Sequence, residues 1–301
     1  MTMLSDRSRL SLPELGAPKL EVHMSWWGMT GLEQGGREYT LEQKIASIAQ
    51  AGFDGINGFI PSPEEEEQWK RLLAYYGLTL SVNAYPSAPE DMSRFLERAV
   101  EFGGIQHINV QVMTPFVVEG RAVELLGDLN RLSREAGIPV YIETHRGTIT
   151  QDLLRTCSYI EALDDLRLTI DLSHYVVAGE MHTISAEAEA LLGKLLTRTG
   201  AIHARVSNGE QVQVDVGNGE HAMLRHFERW WRSGMAYWLD SAGQGDVLPF
   251  VVELGPPPYA ITTDECGGRK HEISDRWEQS LFFMRMARGI WTELQQNFHK
   301  P

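Results

Sequence analysis

Eight short apolar runs, each followed by a longer amphipathic stretch, dominate this chain. They cover residues 20–25, 54–60, 78–83, 106–112, 138–143, 167–171, 201–206 and 248–253. Each is rich in Val, Ile and Leu and short enough to be a strand buried on both faces. Strict alternation of such strands with helices predicts a parallel sheet, and eight units predict closure into a (β/α)₈ TIM barrel. An open, doubly wound sheet is the rival topology. It would favour a G-x-G-x-x-G turn after the first strand, and none is present. Gly217–Gly219 and Gly243–Gly245 are isolated loop pairs.

The intervening segments carry helix-start signals. Thr40 with Gln43 reads as a capping box before 41–51, and Ser62 with Glu65 reads the same way with Pro63 at the first helical position. Ser87 with Glu90 and Thr148 with Gln151 repeat the pattern, and 119–136, 185–199, 221–242 and 274–296 supply further helices. Gly52, Gly77, Gly103, Gly137 and Gly200 stand at helix ends. The acidic run 64–67 reads as the solvated first turn of a helix, favoured by its dipole.

The length, 301 residues, suits one barrel domain over 1–301 with residues 1–18 as a tail. That tail is polar and lacks the apolar core of a signal peptide, and no apolar stretch is long enough to cross a bilayer. Cys157 and Cys266 form no CxxC pair, so neither a zinc knuckle nor a disulfide scaffold is expected, and the compartment reads as a reducing cytoplasm. With 27 Lys and Arg against 41 Asp and Glu, the net charge is −14, which disfavours nucleic acid and anionic lipid as partners.

In such a barrel, chemistry sits at the C-terminal strand ends. Strand five ends in Glu143, six in Asp171 and eight in Glu253, and strand seven carries His203. Any one of these has a bland explanation as a cap or an arginine partner. Three carboxylates brought together are costly unless protons or a cation compensate them, and a single divalent metal does so directly. Three carboxylates and an imidazole suit Mn²⁺ first, or Mg²⁺ or Co²⁺, with Zn²⁺ also compatible.

These strand endings, in this order, resemble the xylose isomerase-like barrel superfamily. That group includes ketose 3-epimerases of the tagatose/psicose type, hydroxypyruvate isomerase and endonuclease IV. The resemblance runs through all eight strands and is sharpest over residues 141–259. It implies Glu143, Asp171, His203 and Glu253 as metal ligands and His174 as a substrate contact. The chain departs from the epimerase pattern at Ile149, where a second glutamate is expected, and at Gly209, where an arginine is expected. Arg205 is the candidate replacement for that arginine.

Other residues round out the candidate site. His145 shares a strand side with Glu143 and should point at the mouth. Arg146 either holds a substrate carboxylate or phosphate, or pairs with Asp152. Gln211 and Gln213 offer amides to sugar hydroxyls, or brace a long loop. Trp26 or Trp27 offers an aromatic face to a sugar ring, or fills the core. Trp230, Trp231 and Trp238 read as core or subunit contacts and His107 as a core group, while His23 lies near the barrel axis. The connection from Gly255 to Ser274 is long enough to serve as a lid.

The function expected is a metal-dependent isomerase or epimerase of a small carbohydrate, phosphorylated or free. Glu143 or Glu253 would take a proton beside a carbonyl, with His145 or His174 moving a proton between oxygens. The rival outcome is a lyase resembling the α subunits of C-glycoside deglycosidases, which act on 3-oxo-sugars with a partner subunit. An endonuclease IV-like nuclease and a non-catalytic sugar-binding protein are the remaining readings. The sequence leaves a homo-oligomer or a partner subunit open.

Overall fold

Each of the eight apolar runs forms a strand in the computed structural model, which describes residues 16–34 and 37–298. Most of the expected 1–18 tail lies outside the described residues. The strands are β1 (Lys19–Ser25), β2 (Gly55–Gly58), β3 (Thr79–Ala84), β4 (Ile105–Val110), β5 (Val140–Glu143), β6 (Leu168–Ile170), β7 (Thr199–Ala204) and β8 (Val247–Val252). All pair in parallel and the sheet closes: β1 joins β8 from Lys19↔Val247 to Met24↔Val252 and joins β2 at His23↔Gly55.

The helices are α1 (Leu41–Ala51), α2 (Glu66–Tyr76), α3 (Pro89–Phe102), α4 (Glu119–Ala136), α5 (Leu153–Ala162), α6 (Ser173–Ala178), α7 (Ala186–Leu196), α8 (Leu224–Ser241) and α9 (Arg276–Phe298). Their apolar stripes, such as Ile45 and Ile48 of α1 and Phe227, Trp230 and Trp231 of α8, are buried in the shell between helices and barrel. The short α6 and a hairpin of Glu33–Gln34 with Arg37–Glu38 were not expected.

Four helix starts test the capping signals. Thr40 forms its box with Gln43. Ser62 does not cap: the chain first makes a turn onto the Ser62 carbonyl, and α2 begins at Glu66. At α3 the start lies one residue later than expected, because Asp91, not Glu90, turns back to accept from the backbone of Ser87 and Ala88. Thr148 is drawn off by the His145 carbonyl, and Asp152 caps α5 through the Arg155 N–H.

Inside the barrel the lining is polar, unlike the aliphatic layers common in this fold. Glu21, His23, Asn57, Ser81, His107 and Asn109 are all buried. Glu21 meets Thr79 at 3.0 Å, and His23 meets Ser81 at 3.2 Å. From Ser81 an amide chain climbs through Asn57 (3.1 Å), Asn83 (3.0 Å) and Asn109 (3.0 Å), and Asn109 donates to Glu143 at 2.6 Å. The bottom of the barrel is thereby hydrogen-bonded to the C-terminal ends of its strands.

Candidate active site

Glu143 closes β5 with its carboxylate turned into the lumen. Its Oε2 accepts from Asn109 and from Gln111 at 2.9 Å, and Thr150 bonds its backbone carbonyl at 2.5 Å. Asp171 stands one residue past β6. The ladder ends there because the Thr144 hydroxyl takes the Asp171 N–H, while Asp171 Oδ1 caps the start of α6 through the Ser173 N–H and hydroxyl. His203 points inward from β7 and its Nδ1 lies 3.1 Å from Glu253 Oε2, just past β8.

Glu143, His203 and Glu253 present ligand atoms within 4.8 Å of one another. Glu143, His145 and His174 do the same on the other side. Asp171 stands outside both groups. Between it and Glu253 lies the buried Arg205 guanidinium, 2.5 Å from Glu253 Oε2 and 3.3 Å from Asp171 Oδ2. An internal cation thus meets part of the charge that the sequence assigns wholly to a metal.

Burial raises the Asp171 carboxyl to about 6 in spite of Arg205. Burial also works against Glu253 ionising, but His203 and Arg205 outweigh it and hold that carboxyl at about 2. For His203, burial favours the neutral ring, and Glu253, Glu143 and Asp171 overcome it and raise the imidazole. His174 is pushed well below the ordinary histidine range by burial and then by His145, Arg205 and Arg146, so it is neutral at pH 7.

Glu143 Oε1, Asp171 Oδ2, His174 Nε2 and His203 Nε2 are buried here without a hydrogen bond, as are Asn109 Oδ1 and the Arg205 Nε and Nη1. Unpartnered buried polar atoms are rare, and three of these belong to the expected ligand set. Carboxylate oxygens and an imidazole nitrogen turned into one space fit a divalent cation.

A cavity of 650 Å³ opens above this cluster. His145, Arg205 and Glu253 line it, and so do Trp26 and Trp27. The His145 and His174 rings lie 3.7 Å apart between centroids, and His145 Nδ1 donates to the Arg146 carbonyl at 2.6 Å. Arg146 does not pair with Asp152, which is engaged by Arg155. It donates to His174 Nδ1 at 3.2 Å and lies over the Tyr259 ring at 5.1 Å. Gln213 is a brace: its amide exchanges two hydrogen bonds with the Gly255 backbone, at 2.8 and 3.0 Å. Gly255 in turn leaves room for Trp27, whose ring would lie 2.0 Å from an added Cβ. The connection after Gly255 is anchored at its far end, where Arg276 donates to the carbonyls of Gly28 and Thr30.

Sequence reasoning missed Asn83, Gln111, Tyr85 and Phe59, which also line the cavity, and Asn109 beneath it. A signal existed for the asparagines. Asn57, Asn83 and Asn109 each follow an aliphatic residue near a strand end, the same pattern that pointed to Glu143 and Asp171.

The model of a family described as a xylose isomerase-like TIM barrel matches residues 45–229. An inosose dehydratase of Erwinia tasmaniensis is 24% identical over 226 residues, covering 64% of this chain and 73% of that protein. Among solved structures, an L-ribulose 3-epimerase has a TM-score of 0.59 at 13% identity, covering 94% of this chain and 100% of the other. A xylose isomerase-like TIM barrel protein from Mycobacterium smegmatis, in complex with magnesium, has a TM-score of 0.56 at 15% identity, covering 90% and 97%. The D-psicose 3-epimerase of Clostridium cellulolyticum H10 has a TM-score of 0.53 at 13% identity, covering 92% and 98%. At these identities the structural likenesses show the fold.

Proposed function

The chain belongs to the xylose isomerase-like TIM barrel family, and from that membership we propose that it is a divalent-metal-dependent enzyme that takes a proton from the carbon beside a sugar carbonyl. One observation carries this reading: the unpartnered Glu143 Oε1 and the His203 imidazole, whose Nδ1 lies 3.9 Å from it, converge with Glu253 beneath a cavity of 650 Å³.

Glu143, His203 and Glu253 would hold the metal, with Asp171 joining them once Arg205 yields. Bound there, a divalent ion supplies charge stabilisation to adjacent oxygens of a hydroxy-ketone. Glu143 is the better placed base. Asn109 and Gln111 fix one of its oxygens and leave Oε1 free. It takes the proton as the substrate becomes an enediolate. Return of that proton by Glu143 to the neighbouring carbon gives isomerisation; delivery to the opposite face through Glu253, which is ionised at rest and must first take a proton from solvent while Glu143 releases its own, gives epimerisation. His145, with its Nδ1 committed to a carbonyl, keeps Nε2 for moving a proton between substrate oxygens.

A second outcome has its own support. The relative matched over 226 residues is an inosose dehydratase. From the same enolate, a β-hydroxyl would leave as water after taking a proton from His145. The reaction is then a lyase, and the early residues keep their roles.

Substrate hydrogen exchange in deuterated buffer tests the reading, with a panel of ketoses, 3-oxo-glycosides and sugar phosphates. Deuterium should enter beside the carbonyl with the wild type, and the rate should fall about 10²–10⁴-fold in Glu143→Gln. It should persist in His145→Ala, where only later proton transfer suffers. Exchange that survives Glu143→Gln, Glu253→Gln and His145→Ala alike would sink these assignments.

A further inference from the structure

The cavity has two unlike halves. Its acids, imidazoles and guanidinium come from β5 to β8 and the loops after them. The loops after β1 to β3 bring Trp26, Trp27, Phe59 and Tyr85 to the same space. In an eight-stranded barrel β2 and β3 face β6 and β7, so Phe59 and Tyr85 stand on the far side of the mouth from the ends of β6 and β7.

Several of these rings are unusually open to solvent for their type. Trp27 is 36% exposed, Phe59 42% and Tyr85 58%. Trp26 and Phe59 are nonetheless fixed. Trp26 packs edge-on against Trp69 at 4.6 Å and Phe59 packs on Trp69 at 5.6 Å, with Trp69 buried in α2. Gly58 leaves space for Trp26, whose Cβ would lie 3.1 Å from an added methyl. On the loop after β4, Met113, whose backbone N–H donates to the Pro86 carbonyl, is 46% exposed and Phe116 91%. Large apolar side chains held open to water around a cavity mark a binding surface.

A sugar ring needs one aromatic face, and Trp27 with Tyr259 supplies it beside Arg205, their centroids 4.9 Å apart. Phe59 and Tyr85 are surplus to that need, and a six-carbon sugar does not fill the cavity. We propose that the substrate is a sugar carrying a planar apolar substituent, with the sugar over the β5–β8 residues and the substituent against Phe59 and Tyr85. This rests on the proposed sugar reaction for the position of the sugar. The apolar, planar character of the substituent rests on the exposed Phe59 and Tyr85 rings.

The test compares methyl and phenyl 3-oxo-β-glucopyranoside by titration calorimetry with metal-loaded protein, and follows deuterium entry beside the ketone in the same samples. The phenyl compound should bind about tenfold tighter, as expected for aromatic contact plus buried area. In the Phe59→Ala/Tyr85→Ala double variant that preference should shrink to within about twofold, with methyl glycoside affinity and metal content unchanged. Both substituted residues are exposed, and metal content reports that the variant is folded. Equal binding of the two glycosides by the wild type would overturn the proposal, as would a preference that survives the double variant. Preference without deuterium entry keeps the aromatic subsite and removes the reaction. Deuterium entry without preference does the reverse.

Discussion

Asn109 sits where the lumen network meets the chemistry. It donates to Glu143 Oε2 and to Asn83 Oδ1 from a fully buried position. Asn109→Ala leaves Asn83 Oδ1 without that donor and Glu143 Oε2 with Gln111 alone, a loss of about 1–3 kcal/mol in all. The urea midpoint should fall accordingly, and the fall should shrink when Asn83 is already replaced, because the two residues share one network. Glu21, at the other end, titrates against the same fabric. Burial opposes its ionisation, but hydrogen bonds from His23 and Lys19 lower it from 4.5 to about 2. A carboxyl depressed on folding stabilises fully above its unfolded pKa and loses that contribution as pH falls through its folded value. Urea midpoints should therefore decline between about pH 4.5 and 2 in the wild type, and more shallowly in Glu21→Gln. At this scale Glu143, Asp171, His203 and Glu253 were legible because each breaks an aliphatic run at a strand end. Arg205 was picked out only as a substrate contact; its place between Asp171 and Glu253 was not legible, since its reach across three strands depends on side-chain torsions that spacing does not encode.

Elements were more legible in kind than in their limits. All eight strands stand where aliphatic runs stand, because burial on both faces leaves a short apolar run few alternatives. Helix starts proved harder. Thr40 caps α1 as its spacing with Gln43 implies, whereas Ser62, Ser87 and Thr148 carry the same spacing and do not. A capping side chain needs extended backbone at its own position, and neighbours such as Asp91 and the His145 carbonyl compete for the same partners. Thr40→Ala should thus cost about 1 kcal/mol, read as a lower thermal midpoint. Thr148→Ala should leave the start of α5 intact, because Asp152 caps it.

For the whole molecule, the metal reading predicts coupling between ion and fold. An ion bound only by the native barrel stabilises it by mass action, by about 2.7 kcal/mol at a hundredfold excess over Kd. A chelator should lower the thermal midpoint of the wild type and leave that of Glu143→Gln/His203→Ala unchanged. Elemental analysis showing no divalent ion, with a midpoint indifferent to chelator, would remove the metal from the account. Among the described residues no helix is long and apolar enough to cross a membrane.

The asparagine chain through the lumen also bears on how the barrel finds its partners. Strand register is a choice among neighbours two residues apart, and a slip of one turns every side chain to the opposite face. In β3 such a slip would carry Ser81 and Asn83 into the helix-facing shell and set Leu80 and Val82 among amides with nothing to accept. Each stranded amide is penalised by about 1–3 kcal/mol. An interior of valine and leucine would tolerate several closures at similar energy. Here misaligned closures carry that penalty, so the residues that steady Glu143 also help to specify the register of the barrel.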